Sequence, residues 1–181
     1  MTTVKRALDT GVTNLMIPNI RNAAEAAEVV SHTRFAPQGL RGVAGSTRGG
    51  GYTRYKDYMA RANDEIALVL QIETPEAVDD LDAICRTRGV DAVFIGPSDL
   101  SASYGHRGAA NGPEMQAIIS KAIGVANVAN KAVGILSTDG GAAKYFEQGV
   151  TLVSVATDIH LFVRACDELS VKFASRRDKS A

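Results

Sequence analysis

Leu70-Gln71-Ile72-Glu73-Thr74-Pro75 and Phe94-Ile95-Gly96-Pro97-Ser98-Asp99-Leu100-Ser101 decide the fold. Each is a continuous apolar run that stops at polar residues and a carboxylate, with a helix-start signal beside it. Apolar residues at successive positions, rather than alternate ones, suit a strand covered on both faces, as in parallel sheets. Thr74 ahead of Pro75 pairs an N-cap residue with proline at the first helical position. A parallel strand that delivers an acid at its C-terminal end is how α/β barrels present metal ligands and catalytic groups. Glu73 and Asp99, 26 residues apart (99 − 73), would together suit one hard cation.

Outward from these two segments the same alternation repeats. Short apolar runs at Asn14–Ile17, Ile66–Ile72, Ala92–Ile95, Ala132–Leu136 and Leu152–Ala156 predict five strands. Helical segments separate them. Asn22 with Glu25 reads as a capping box before a face of Ala23, Ala26, Ala27 and Val30. One helix is predicted from Pro75 to Gly89, with Ala77, Leu81, Ile84 and Cys85 inward and Asp79, Asp80 and Asp82 outward. Another opens at Pro113 and aligns Met115, Ile118, Ile119, Ala122 and Ala126. Asp139 is predicted to cap a short helix ending near Gly149. Asp158 is predicted to cap a last one with Ile159, Phe162, Val163, Cys166, Leu169 and Phe173 on its apolar face. Strand and helix in strict alternation imply a parallel sheet with right-handed crossovers. Every strand ends in polar or special residues, which one rim of a barrel or one edge of an open doubly wound sheet would gather; periodicity does not separate the two.

The 181 residues are enough for a single domain with a substantial core, and no linker divides them. Twenty Lys plus Arg balance 20 Asp plus Glu, so no global field favours nucleic acid or an acidic membrane. Cys85 and Cys166 both fall on apolar helix faces and read as buried free thiols of a reducing, cytoplasmic compartment. Met1-Thr2-Thr3-Val4-Lys5-Arg6 has no apolar core of a signal peptide, and no run approaches the roughly 20 apolar residues that span a bilayer. Residues 172–181, rich in Lys and Arg, are expected to form a flexible, solvated tail. The long irregular stretch from Phe35 to Tyr55, with Gly49-Gly50-Gly51, is expected to be an active-site or interface loop, with Arg41 tying it down. On residues alone, Glu73 and Asp99 serve equally well as helix caps. His32, His106 and His160 lie away from every predicted strand end, so none is read as a base.

Gln71-Ile72-Glu73-Thr74, Gly96-Pro97-Ser98-Asp99-Leu100-Ser101 and Gly39-Leu40-Arg41-Gly42-Val43 resemble the HpcH/HpaI family of metal-dependent, pyruvate-type aldolases, with Leu15-Met16-Ile17-Pro18 and Gly134-Ile135-Leu136 in the right order. The resemblance runs from about Val4 to Phe173. It implies a (β/α)8 barrel of the pyruvate kinase/phosphoenolpyruvate type. It further implies a divalent ion (Mg²⁺, Mn²⁺ or Co²⁺) held by Glu73 and Asp99, and a 2-oxo acid chelating that ion. The implied reaction cleaves 4-hydroxy-2-oxo acids to pyruvate and an aldehyde, as in catabolism of aromatic compounds or sugar acids. Homo-oligomers, commonly hexamers of dimers that exchange a C-terminal helix, are implied too. Within that frame the amides of Ser98 and Asp99, in the first turn of a helix, suit a substrate carboxylate. Gly96 would admit it closely, Gln71 shares the strand face of Glu73, and Phe94 and Leu136 form an apolar wall or plain core.

The family's base histidine and ketone-contacting arginine lie on early strands, and the resemblance places both ahead of this sequence. Val4 to Gly11 matches the helix after the third strand, so the five strands are expected to be strands four to eight of a partial barrel. Loss of general-base help typically costs about 10²–10⁴ in rate, so this chain alone is expected to be a weak or inactive aldolase. Two alternatives are a relative of citrate lyase β-subunits and malyl-CoA lyases, and a non-catalytic piece that assembles with full-length subunits.

Overall fold

The computed structural model describes residues 2–138 and 140–177. Five strands, β1 (Asn14–Ile17), β2 (Ala67–Ile72), β3 (Ala92–Ile95), β4 (Ala132–Leu136) and β5 (Leu152–Ser154), form one parallel sheet in chain order. Nine helices accompany them among the described residues: α1 (Thr2–Asp9), α2 (Ala23–Thr33), α3 (Tyr58–Arg61), α4 (Pro75–Asp79), α5 (Leu81–Arg86), α6 (Pro97–Ser103), α7 (Pro113–Val128), α8 (Ala142–Glu147) and α9 (Asp158–Arg177). The arrangement is a partial (β/α) barrel.

Side chains alternate across the sheet, and this decides what each face does. Leu68, Leu70 and Ile72 of β2 are fully buried, as are Ile95 and Ile135 beside Ile72 in the register. They pack on Ala77, Leu81, Ile84, Met115, Ile119 and Ile123 from α4, α5 and α7, and this layer is the core. The opposite face carries Met16, Gln71, Phe94, Gly134 and Leu152, with Gln71 opposite Phe94 and Phe94 opposite Gly134 and Leu152 opposite Gly134. Met16 is 44% exposed and Leu152 54%. Continuous apolar runs therefore mark strands with helices on one face and a barrel interior on the other.

Several local expectations need correction. The helix predicted from Pro75 onward breaks at Asp80, because the Asp80 carboxylate turns to accept the Ala23 N–H at 2.7 Å. It serves the positive N-terminal end of α2 rather than an outer face. The capping box at α2 is displaced by one residue: Asn22 accepts from Glu25 N–H at 2.9 Å, while Glu25 accepts from Arg21 N–H, not Asn22. Thr157, not Asp158, accepts the His160 N–H that caps α9. Asp139 lies outside the described residues. β5 stops at Ser154, two residues short.

Arg41 does tie down the long loop. Its guanidinium lies 4.3 Å over the Phe35 ring and donates to Tyr58 Oη at 2.9 Å and Asp9 at 3.2 Å. At the other end of the chain, helix α9 continues through Arg177, into the segment expected to be a tail; residues 178–181 lie outside the described residues. Cys85 is buried and its thiol is pushed up to about 11 by that burial, which fits an inert core residue. Cys166 is exposed, because among the described residues no layer covers the apolar face of α9 on which it sits: Ile159, Phe162, Leu169 and Phe173 are all exposed with it.

Candidate active site

Two strand ends and one helix meet at an open cavity of about 660 Å³. Pro18 and Asn19 follow β1; Gln71, Glu73 and Thr74 come from the end of β2; Asp99, Ala102 and Ser103 come from α6, one turn apart on one face. Arg107 lines the same cavity from the turn after α6.

Glu73 is the centre of this arrangement. Only 8% of it is exposed, yet no Lys or Arg pairs with it among the described residues. Its two oxygens are each fixed by one donor. The Asn19 N–H donates to Oε2 at 3.1 Å, and the Gln71 side-chain amide donates to Oε1 at 2.9 Å. The first bond exists because Asn19 adopts φ 56°, a left-handed conformation that asparagine tolerates and that turns its amide toward β2. A carboxylate oxygen has two lone-pair sites, so each oxygen keeps acceptor capacity facing the cavity. Burial pushes the Glu73 carboxyl above its usual value. The Asn19 N–H pulls it down, and the nearby Asp99 charge raises it further.

Gly96 makes room for the Glu73 side chain. A Cβ at this position would fall 2.7 Å from Glu73 Oε1 and 2.9 Å from its Cγ. The missing side chain seats Glu73, and no ligand is needed to explain the glycine.

The residues singled out in the sequence divide into groups. Gln71, Glu73 and Asp99 come together in the large cavity. Ser98 and Leu136 line a separate recess of about 140 Å³ with Pro97, Ser137, Thr138 and Tyr145. The Phe94 ring packs against Gly134, where a Cβ would sit 2.4 Å from a ring carbon, and Phe94 does not line the large cavity. Asn19 and Arg107 line the cavity without having been singled out. A proline-asparagine step at a strand end carried a signal for the first; nothing in the local sequence marked the second.

The donor set fits an oxygen-preferring cation. Two carboxylates with free lone pairs, whose mutual repulsion a cation would relieve, favour hard divalent ions completed by water. Among the described residues no third His, Cys, Asp or Glu joins them in a cluster. None of the three histidines lines this cavity: His32 sits on α2 beside Glu28, His106 faces Glu114 at 3.3 Å, and His160 lies on α9.

The HpcH/HpaI aldolase/citrate lyase family matches over residues 1–165. The chain belongs to that family. It is 41% identical over 171 residues to the 5-keto-4-deoxy-D-glucarate aldolase of Enterobacter sp. (strain 638), covering 94% of this chain and 67% of that protein. It is 43% identical over 173 residues to the pyruvate aldolase of Rhizobium etli, covering 95% and 68%. The crystal structure of a HpcH/HpaI aldolase/citrate lyase family protein from Burkholderia cenocepacia superposes with a TM-score of 0.89 at 38% identity, over 94% of this chain and 68% of that one. The chain thus spans about two thirds of the length of the relatives it matches. Its class by descent is that of carbon–carbon lyases of the aldolase type. No described helix is long and apolar enough to cross a membrane.

Proposed function

We propose that the cavity around Glu73 binds a divalent cation and a 2-oxo acid, and that the reaction it serves is cleavage of 4-hydroxy-2-oxo acids to pyruvate and an aldehyde. The observation that carries this reading is the carboxylate pair: Glu73, buried without a cationic partner, faces the cavity that Asp99 also lines. Carbon–carbon cleavage next to a ketone leaves an enolate, and a divalent cation such as Mg²⁺, Mn²⁺ or Co²⁺, when bound, supplies Lewis-acid stabilisation of that charge. Glu73 and Asp99 would be its protein ligands. Gln71 and the Asn19 amide hold the Glu73 carboxylate in orientation, as outer partners of metal ligands do. The amide of Asp99, a residue that lines the cavity, lies in the first turn of α6, where no preceding helical carbonyl accepts it, and it would receive the substrate carboxylate.

None of the three histidines, all within the described residues, lines the cavity. The exposed apolar face of α9 supports assembly with further copies of the chain or with full-length subunits, in the helix-exchanged manner the resemblance implies. A cytoplasmic location goes with this metabolic reading.

The test is pyruvate release from a 4-hydroxy-2-oxo acid, with Mn²⁺ and with EDTA, together with direct Mn²⁺ binding to the chain and to Glu73→Gln. The expected result is Mn²⁺ binding that weakens more than about 100-fold in Glu73→Gln, since a ligand counts for more than the 10–100-fold of an outer partner. Turnover should be abolished by EDTA. Mn²⁺ binding indifferent to the substitution would overturn the assignment.

A further inference from the structure

A second cavity, of about 420 Å³, opens at the other end of the sheet. Asp64 lies shortly before β2, Asp91 immediately before β3, Arg34 directly after α2 and Arg88 in the turn after α5, and all four line it. The Glu73 cavity lies past the C-terminal ends of the strands, so the two stand on opposite rims. Along β2, five residue steps of about 3.3 Å put roughly 17 Å of sheet between them. Gly89 shapes the wall of the second cavity. It adopts φ 94°, and a Cβ there would fall 2.6 Å from the Val30 side chain, so glycine lets the turn after α5 close on α2.

The cavity presents two guanidiniums and two carboxylates, yet among the described residues none of the four enters an ion pair. Arg34 is half-buried and donates to neutral acceptors, Thr33 Oγ1 at 3.1 Å and Ile66 O at 3.2 Å. Burial pulls its pKa down, while the charges of Asp91 and Asp64 pull it up, so both acids are felt by the guanidinium without touching it. Asp91 spends Oδ2 on the Leu68 N–H at 2.7 Å and keeps Oδ1 free among the described residues. The Asp64 carboxylate and the Arg88 guanidinium, both exposed, make no side-chain hydrogen bond there either. Charges that hold a fold together pair with one another, as Arg41 and Asp9 do. Four that share a cavity and stay apart suit a molecule that brings both signs itself.

We infer that this cavity is a binding site for a free α-amino acid, with Arg34 and Arg88 receiving its carboxylate and Asp64 and Asp91 its ammonium group. A simple anion would meet the two carboxylates as well as the guanidiniums, and a simple amine the reverse, whereas a zwitterion satisfies both sets. A guanidinium fork matches a carboxylate through two parallel N–H donors, and the cavity falls in the size range of small-molecule sites, roughly 300–1,000 Å³. The site is separate from the Glu73 cavity and does not depend on the reaction proposed there.

The test uses three probes. Norvaline carries both charges; pentanoate is the same molecule without the ammonium group, and butylamine the same without the carboxylate. Each is titrated at neutral pH into the isotope-labelled chain, and the backbone amides are followed by NMR. Norvaline is expected to move the amide signals of Asp64, Gly89 and Asp91 and to bind about fivefold more tightly than either half, the upper range for one ion pair open to solvent. Arg88→Gln and Asp64→Asn remove exposed charges that bond to nothing among the described residues, so both variants should fold. Arg88→Gln should weaken norvaline and pentanoate and spare butylamine. Asp64→Asn should weaken norvaline and butylamine and spare pentanoate. Either half binding as tightly as norvaline, norvaline binding that ignores both substitutions, or no norvaline-dependent shift at these amides overturns the inference and leaves the reading of the Glu73 cavity untouched.

Discussion

Among the described residues the protein buries two charged side chains to nearly the same degree, Arg41 at 4% exposure and Glu73 at 8%, and treats them in opposite ways. Arg41, in the loop that packs against α1, is neutralised: Asp9 carries the opposite charge, Tyr58 accepts a hydrogen bond and the Phe35 ring covers the guanidinium face. Glu73, at the C-terminal end of β2, receives two neutral donors and a like charge nearby, so burial leaves its carboxyl raised. A buried charge that is compensated within the chain holds structure together. One that is oriented but uncompensated is held ready for something that brings the missing charge. The same sheet supports both because strand ends project side chains past the packed core, whereas a loop crossing the outer layer must satisfy whatever it buries.

This contrast can be broken by substitution. Arg41→Met removes one member of a buried pair and should destabilise the protein by about 3 kcal/mol, read in urea unfolding, with Mn²⁺ affinity unchanged; a loss of Mn²⁺ affinity would mean the two regions are not separate. Gly96→Ala should do the reverse. Its Cβ would displace Glu73 from 2.7 Å away, so Mn²⁺ affinity should fall about 10–100-fold, the range for disturbed outer partners, while unfolding barely shifts. Gln71→Leu removes the donor to Oε1 and should cost Mn²⁺ affinity about tenfold, with Gln71→Glu no better because it adds a like charge.

The smallest expected effect is on stability against pH. The folded Glu73 carboxyl lies above its unfolded value of about 4.3, so the folded state holds the proton longer. Stability should then fall as pH rises from about 4.3 to the raised folded value and level off above it. Without metal, Glu73→Gln should lack this decline, and saturating Mn²⁺ should remove the difference between the two proteins. A wild-type curve that rises through this window would contradict the raised carboxyl.

Much of this could be read from the residues. β1, β3 and β4 begin and end where their apolar runs do, and in β3 and β4 a buried strand leaves no position for a polar residue until it emerges. Glu73, Asp99 and Gln71 were legible because a strand's period of two and a helix's first turn fix where those side chains point. What escaped depends on partners distant in sequence. Asp80 looks like one more acid on a solvated helix face; only the arrival of α2 gives it the Ala23 N–H to accept. Gly96 suggested space for a ligand, but not that Glu73 from the neighbouring strand needs room beside it. Phe94 and Leu136 are apolar at strand ends in the same way, yet the first packs against Gly134 and the second faces another recess. Arg107 reaches the cavity through a turn whose path no local pattern encodes. The amphipathic face of α9 was plain, but periodicity does not say which molecule covers it.

The strand order has a consequence for how this molecule comes into being. Because β1, β2, β3, β4 and β5 lie side by side in the order they are made, each strand emerging from the ribosome finds its neighbour already synthesised. The lining of the Glu73 cavity runs only from Pro18 to Arg107, so the nascent chain carries every one of those side chains before β4, β5 and α9 exist. Domains fold from the N-terminus forward during synthesis, and the acids are thus in place while the strands that widen the sheet are still to come. Ribosome-stalled chains ending soon after α7 should already capture Mn²⁺, and chains ending before Asp99 should not.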